Sequence, residues 1–305
     1  MTQVLNGGGV NPARNGTRPG VLRADPAKAL RLQPLRDRLA ERTAPGSRWT
    51  VDRKVRREEI LVATGVSIRF GGLQALDDVA VVARTGEVTG VIGPNGAGKT
   101  TFFNCISGLY TPDRGEITFQ GTKLRGSVVA RGRRGVGRTF QTPRLFASLS
   151  VLDNLLLGCS VAETTGAPYS FEPELARLLP AERAERIARL VGYRGNLAAP
   201  AGGLPFGDQR VIEFARALCG APALLMLDEP ASGLDLEQGE DLVGLLRRLA
   251  DLGLAILLIE HDMSIVMGVC DSLTVLNFGT VLARGTPREV QANDDVIDAY
   301  LGRSA

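Results

Sequence analysis

Eight consecutive residues, Gly93-Pro94-Asn95-Gly96-Ala97-Gly98-Lys99-Thr100, satisfy the pattern GxxxxGK[ST] at every fixed position. Glycines let such a loop wrap phosphate groups, and its backbone N–H groups together with the following helix start supply partial positive charge. Lys99 is then placed to reach β and γ phosphates, and the Thr100 hydroxyl to ligate Mg²⁺. Pro94, Asn95, Ala97 and Thr101 complete the expected phosphate-binding segment. A P-loop alone leaves GTPases, kinases and motor ATPases open, so the choice falls to a second, acidic element. The apolar run Ala223–Leu227 ends in Asp228-Glu229-Pro230. Asp228, leaving a buried strand at its carboxyl end, can hold the Mg²⁺ shell, and Glu229 can orient and polarise an attacking water. The plainer alternative is a pair of carboxylates opening a surface turn.

Further motifs follow in a fixed order. Gln141 lies in RTFQTPRLF, between the P-loop unit and a helical stretch. Leu204-Pro205-Phe206-Gly207-Asp208-Gln209-Arg210 opens a helix ahead of Asp228, and Ser232-Gly233-Leu234-Asp235 comes just after it. The single histidine, His261, follows the apolar run LAILLIE in Glu260-His261-Asp262, and Phe70 precedes the P-loop in IRFGG. In this order, residues 59 to 303 resemble the nucleotide-binding subunit of ABC transporters. The resemblance implies ATP with Mg²⁺ as cofactors, Thr100, Gln141 and Asp228 as metal ligands, and Glu229, His261 and Lys99 as catalytic residues. It further implies that Phe70 stacks on adenine and that Gln141 senses the γ-phosphate and couples the site to membrane subunits. Phe206, Gly207, Asp208 and Gln209 resemble the signature that meets ATP bound in the opposite protomer, and Ser232 and Asp235 the loop crossing the dimer interface. Pro205 and Asp208 depart from the consensus Ser and Gln, so the serine hydroxyl contact to the γ-phosphate is absent, which also raises a regulatory subunit of weak turnover.

Within that family, SIRFGGLQAL, GRTFQTPRLFASLSVLDNL, IEHDM and GTPREVQANDDVIDAYLG look like the LivG-like ATPase subunits of branched-chain amino acid importers. The implied partners are two permease subunits, a second ATPase subunit (or a second copy of this chain) and an external solute-binding protein. Related importers for urea and short amides, and the lipopolysaccharide-export ATPase, share much of this texture. An ABC ATPase acting on DNA or ribosomes is the rival from another class; it would carry a coiled-coil insertion or two nucleotide domains. The ending GTPREVQANDDVIDAYLG is expected to close the chain with no added regulatory domain.

Positioning these residues takes strands that end together. ILVATGVSIRF and ALDDVAVVA, separated by GGLQ, alternate as antiparallel strands do. EVTGVIGPNGAGKTTFFNCISG reads as strand, glycine-rich turn and helix. ALLMLD and LAILLIE are apolar on both faces and joined by the helix LEQGEDLVGLLRRLADL, the pattern of a parallel sheet covered on both sides. Between the two halves, LSVLDNLLLG, PELARLLPAERAERIARLVG and GDQRVIEFARALCG read as helices. The expected fold is α/β: a P-loop NTPase with a RecA-like core of the ABC type, an antiparallel β subdomain, and a helical subdomain inserted at about residues 144 to 220.

The 305 residues, 44% hydrophobic and 23% charged, exclude collagenous and wholly disordered chains. No apolar run is long enough for a membrane span, and the start does not read as a secretory signal, so a cytosolic protein is expected; the resemblance implies that it sits peripherally on the cytoplasmic side of the cell membrane. Four widely spaced cysteines argue against a disulfide framework or zinc site. Of the net charge of +3, residues 1 to 58 contribute +8 and the remainder −5. The basic character therefore belongs to an N-terminal extension, residues 1 to 57, read as mostly disordered, and gives no reason to expect a nucleic-acid partner. Residues 58 to 303 are read as the ATPase domain.

Overall fold

The computed structural model describes residues 57–301. The expected basic extension, apart from Arg57, lies outside the described residues. Strands β1 (Glu59–Phe70) and β2 (Leu73–Arg84) form an antiparallel hairpin. Its turn is shorter than expected, Gly71-Gly72, because Gly71 adopts a φ of 57° that leaves Leu73 and Gln74 free to pair in β2. With β4 (Arg114–Phe119) and β5 (Thr122–Lys123) they make a four-stranded sheet ordered β2-β1-β4-β5.

The second sheet has six strands: β3 (Val88–Ile92), β6 (Val136–Arg138), β7 (Leu224–Asp228), β8 (Ala255–Ile259), β9 (Ser272–Asn277) and β10 (Thr280–Gly285). Their order is β10-β9-β3-β8-β7-β6, parallel except for the edge strand β10. Side chains alternate between two cores, as the two-residue period requires. Leu225, Leu227, Ile256 and Leu258 enter one with the helices, while Leu224, Met226, Leu257 and Ile259 enter the other with the antiparallel sheet. Burial on both faces is why these strands are continuously apolar.

The helices are α1 (Lys99–Ser107), α2 (Val128–Arg133), α3 (Val151–Thr165), α4 (Pro180–Leu190), α5 (Phe206–Cys219), α6 (Leu236–Asp251), α7 (Met263–Val269), α8 (Pro287–Gln291) and α9 (Asp294–Leu301). The run PELARLLPAERAERIARLVG is not one helix. A 3-10 turn at Pro173–Arg177 is followed by extended residues, and α4 starts at Pro180 because proline lacks an N–H and suits a first helical position. The cysteines Cys105, Cys159, Cys219 and Cys270 are buried free thiols.

Candidate functional site: a phosphate loop facing two strand ends

Strands β3, β7 and β8 deliver the P-loop, Asp228-Glu229 and Glu260-His261 respectively, each at its carboxyl end, where open parallel sheets bind ligands. In the loop, Gly93 and Gly98 have φ values of 147° and 102°. A Cβ on Gly93 would run into the Leu276 carbonyl, and one on Gly98 would lie 2.7 Å from the Ala75 carbonyl, so both positions need glycine. Gly279, in the turn from β9 to β10, donates its N–H to the Ala97 carbonyl and fixes the loop from outside.

Lys99 is buried, and its Nζ donates to the carbonyls of Gly93 (2.7 Å) and Pro94 (2.9 Å). Burial lowers the Lys99 pKa, and the charges of Glu229 and Asp228 oppose that shift. Thr100 is exposed and Thr101 half-buried in the first turn of α1, while Asn95 and Gly96 are exposed and Pro94 half-buried.

Asp228 is buried with one partner that the motif reading missed. Arg138, at the end of β6, donates to Asp228 Oδ2 (3.2 Å), to Asn104 Oδ1 (2.7 Å) and to Ser107 Oγ (2.9 Å). Burial pushes the Asp228 pKa up, and the Arg138 guanidinium works against it. The sequence carried little signal for it, because Arg138 is one of four arginines between positions 131 and 138 and its strand is three residues long.

Glu229 has a φ of 49°, rare for a residue with a side chain. Its Oε2 accepts from Gln141 Nε2 at 2.7 Å and lies 3.6 Å from His261 Nδ1. Gln141, Glu229 and His261 therefore come together. Below them Glu260, fully buried, accepts from the N–H groups of Ala231, His261 and Asp262. A charged residue ending the apolar run of β8 was its sequence signal.

The remaining residues lie further out. Phe70 is 42% exposed and packs edge-to-face on Tyr110, with centroids 5.1 Å apart, so an aromatic pair stands where the sequence suggested one ring. Phe206, Gly207, Asp208 and Gln209 open α5; Phe206 is exposed, and Gln209 Nε2 donates to the Leu204 carbonyl. Among the described residues these four make no hydrogen bond to the P-loop of their own chain. Pro205 caps α5 without a side-chain acceptor. Ser232 N–H donates to the Glu229 carbonyl, and the Asp235 carboxylate caps α6 by accepting from Gln238 N–H at 2.9 Å. Tyr300 of α9 reaches back toward the Gly93 backbone, and desolvation of its phenol pushes the pKa up to about 12.

The donors suit Mg²⁺. The Thr100 hydroxyl is exposed, Arg138 engages only one oxygen of Asp228, and the amide nitrogen of Gln141 faces Glu229, leaving its oxygen for a cation. Few protein oxygens, with phosphate and water for the rest, is how Mg²⁺ is usually held beside nucleotides.

A family model described as "ABC transporter" matches residues 76–232, and one described as "Branched-chain amino acid ATP-binding cassette transporter" matches residues 280–305. The high-affinity branched-chain amino acid transport ATP-binding protein LivG of Salmonella typhimurium is 42% identical over 253 residues, 81% of this chain and 99% of that protein. BraF of Pseudomonas aeruginosa, described in the same words, is 40% identical over 255 residues, 80% and 98% of the two chains. A crystal structure of the ADP conformation of an ABC transporter's ATP-binding cassette superposes with a TM-score of 0.69 at 30% identity, covering 80% of this chain and 99% of that one. A nucleotide-free cassette superposes at 0.68 with 29% identity, over 80% and 99% of the two chains. With a P-loop, an acidic strand end and a histidine strand end on one edge of its sheet, the chain belongs to the ABC transporter ATP-binding proteins, in the LivG and BraF branch.

Proposed function

We propose that this chain is the ATP-hydrolysing subunit of an importer for branched-chain amino acids, working on separate permease subunits at the cytoplasmic face of the membrane. The observation that carries import is the 40–42% identity to LivG and BraF along nearly their whole length, and the 2.7 Å hydrogen bond from Gln141 to Glu229 supports the coupling, because it joins an exposed loop to the carboxylate beside the P-loop. The P-loop N–H groups and Lys99 hold the β and γ phosphates, and Phe70 with Tyr110 stacks on adenine. Glu229 orients the water for in-line attack, and His261, beside it, contacts the γ-phosphate. Thr100, Asp228 and Gln141 would hold Mg²⁺, which would supply charge neutralisation to the phosphates when bound. The α5 N-terminus, with Phe206, Gly207, Asp208 and Gln209, closes on ATP held by a second ATPase protomer, and Ser232 and Asp235 meet that protomer at the interface. ATP thereby holds the dimer closed, and hydrolysis releases it.

No helix among the described residues is long and apolar enough to cross a membrane, so the stroke passes to separate subunits. A groove of about 400 Å³ lined by Arg144, Glu213 and Arg216 suits a permease segment, since Phe146, Leu157 and Val161 leave apolar surface exposed at it. Residues 58 to 303 form the ATPase domain, with residues 1 to 57 a basic extension outside it.

Affinity capture from native membranes with this chain as bait, followed by mass spectrometry, tests the assembly. Two permeases, a second ATPase and a solute-binding protein that takes leucine or isoleucine are expected. Ribosomal or DNA-repair proteins without any permease would overturn the transport reading.

A further inference from the structure

The signature helix and the Gln141 loop are fastened together by side chains that the nucleotide chemistry leaves unused. We infer that Arg210, Glu213 and Arg216 of α5 are positioning residues that clamp the backbone of the loop at residues 141 to 144, so that Gln141 follows every movement of the signature helix. The inference rests on the function proposed above.

Spacings of three and six residues put the three side chains on one side of α5. All three engage the same short loop. Arg210 Nη2 donates to the Gln141 carbonyl at 3.0 Å, Glu213 Oε1 accepts from Arg144 N–H at 3.0 Å, and Arg216 Nη2 donates to the Arg144 carbonyl at 2.6 Å. Arg210 spends its other terminal nitrogen on the Pro230 carbonyl, 2.8 Å away, in the turn directly after Glu229. The loop is thus held by its backbone on α5 and by the Gln141 side chain on Glu229.

Glu213 is the informative member. It is only 4% exposed, and Arg216 lies 3.9 Å from it. A buried carboxylate contributes little stability that an apolar side chain of similar size would not also give. Its specific effect is to accept from the Arg144 N–H and so fix the loop backbone on α5. Arg216 also lies over the ring of Phe146, and Arg144 over that of Phe140, so the same clamp reaches the lip of the groove assigned to the permease. Pressure there, rotation of α5 and displacement of Gln141 from Glu229 become one motion.

The test compares Glu213→Ala with Glu213→Gln in the full chain, following amide exchange along the backbone and steady-state ATP hydrolysis. Glutamine keeps an oxygen that can accept from Arg144; alanine does not. The alanine variant is expected to speed exchange in the 141–145 segment about tenfold, with α3 and α4 unchanged, and to lower kcat about tenfold while KM for ATP stays within about twofold. The glutamine variant should stay within about threefold of the parent on every readout. Unchanged loop exchange in the alanine variant, or equal loss of protection through the whole helical layer in both variants, would overturn the clamp. If the alanine variant does not fold, Arg210→Lys serves instead. One ammonium cannot span the Gln141 and Pro230 carbonyls as the guanidinium fork does, so kcat should fall at constant KM, and a parent-like kcat would contradict the inference. A parent chain that hydrolyses no ATP would sink the proposed function, while loop exchange would still decide the clamp.

Discussion

Glu229 holds a left-handed backbone conformation that costs a residue with a side chain about 1–3 kcal/mol, and its carboxylate faces both Gln141 and His261. Such strain is tolerated where a side chain has to be aimed. Glu229→Gln is expected to leave ATP affinity within about twofold and lower kcat by about a hundredfold or more, read by nucleotide titration and phosphate release. Parent-like turnover would remove Glu229 as the base. Arg138 makes a different prediction because it pairs with Asp228 where both side chains are close to fully buried. Arg138→Met strands that carboxylate and should cost about 3 kcal/mol of unfolding free energy in a urea titration. At this scale the sequence was most informative for residues whose backbone chemistry fixes their spacing, such as Gly93 to Thr100. It was least informative for Arg138, Glu260 and Tyr300, whose partners are brought together only by the packing of separate strands and helices.

Helix α5 carries the signature at its start and crosses α3 closely at Gly158. A Cβ there would lie 2.8 Å from the Cys219 Cβ and collide with the Arg216 carbonyl. Gly158→Ala should therefore part the two helices at a cost of about 1–3 kcal/mol, seen as a thermal midpoint about 2–8 °C lower. An unchanged midpoint would mean that the helical layer yields freely. The long parallel strands were legible because they are apolar on both faces. The three-residue β6 and the hairpin of β9 and β10 were not singled out, since short runs give too little periodicity. Pro180 was visible in PELARLLPAERAERIARLVG, yet its power to end one turn and begin the next helix depends on how Leu178 packs against the core, which the sequence does not state.

The described residues are built around one six-stranded sheet with a core on each face, and their chemistry is gathered at the strand ends between them. The order of motifs along the chain made this architecture legible, because strands that end together must deliver those motifs to one edge. Arg57 pairs with Glu87 at 2.9 Å, but its side chain is 57% exposed, and such a pair contributes at most about 1 kcal/mol. Removing residues 1 to 57 should accordingly leave ATP affinity within about twofold in a titration, and a large loss would make the extension part of the domain. The central claim is that hydrolysis at this site drives amino acid import. Its most direct test is ATP-dependent uptake of radiolabelled leucine by proteoliposomes that hold this chain, its captured membrane partners and the solute-binding protein. Uptake with the parent chain and none with Glu229→Gln is the expected result; uptake that persists with Glu229→Gln, or ATP hydrolysis indifferent to the leucine-loaded binding protein, would contradict the account.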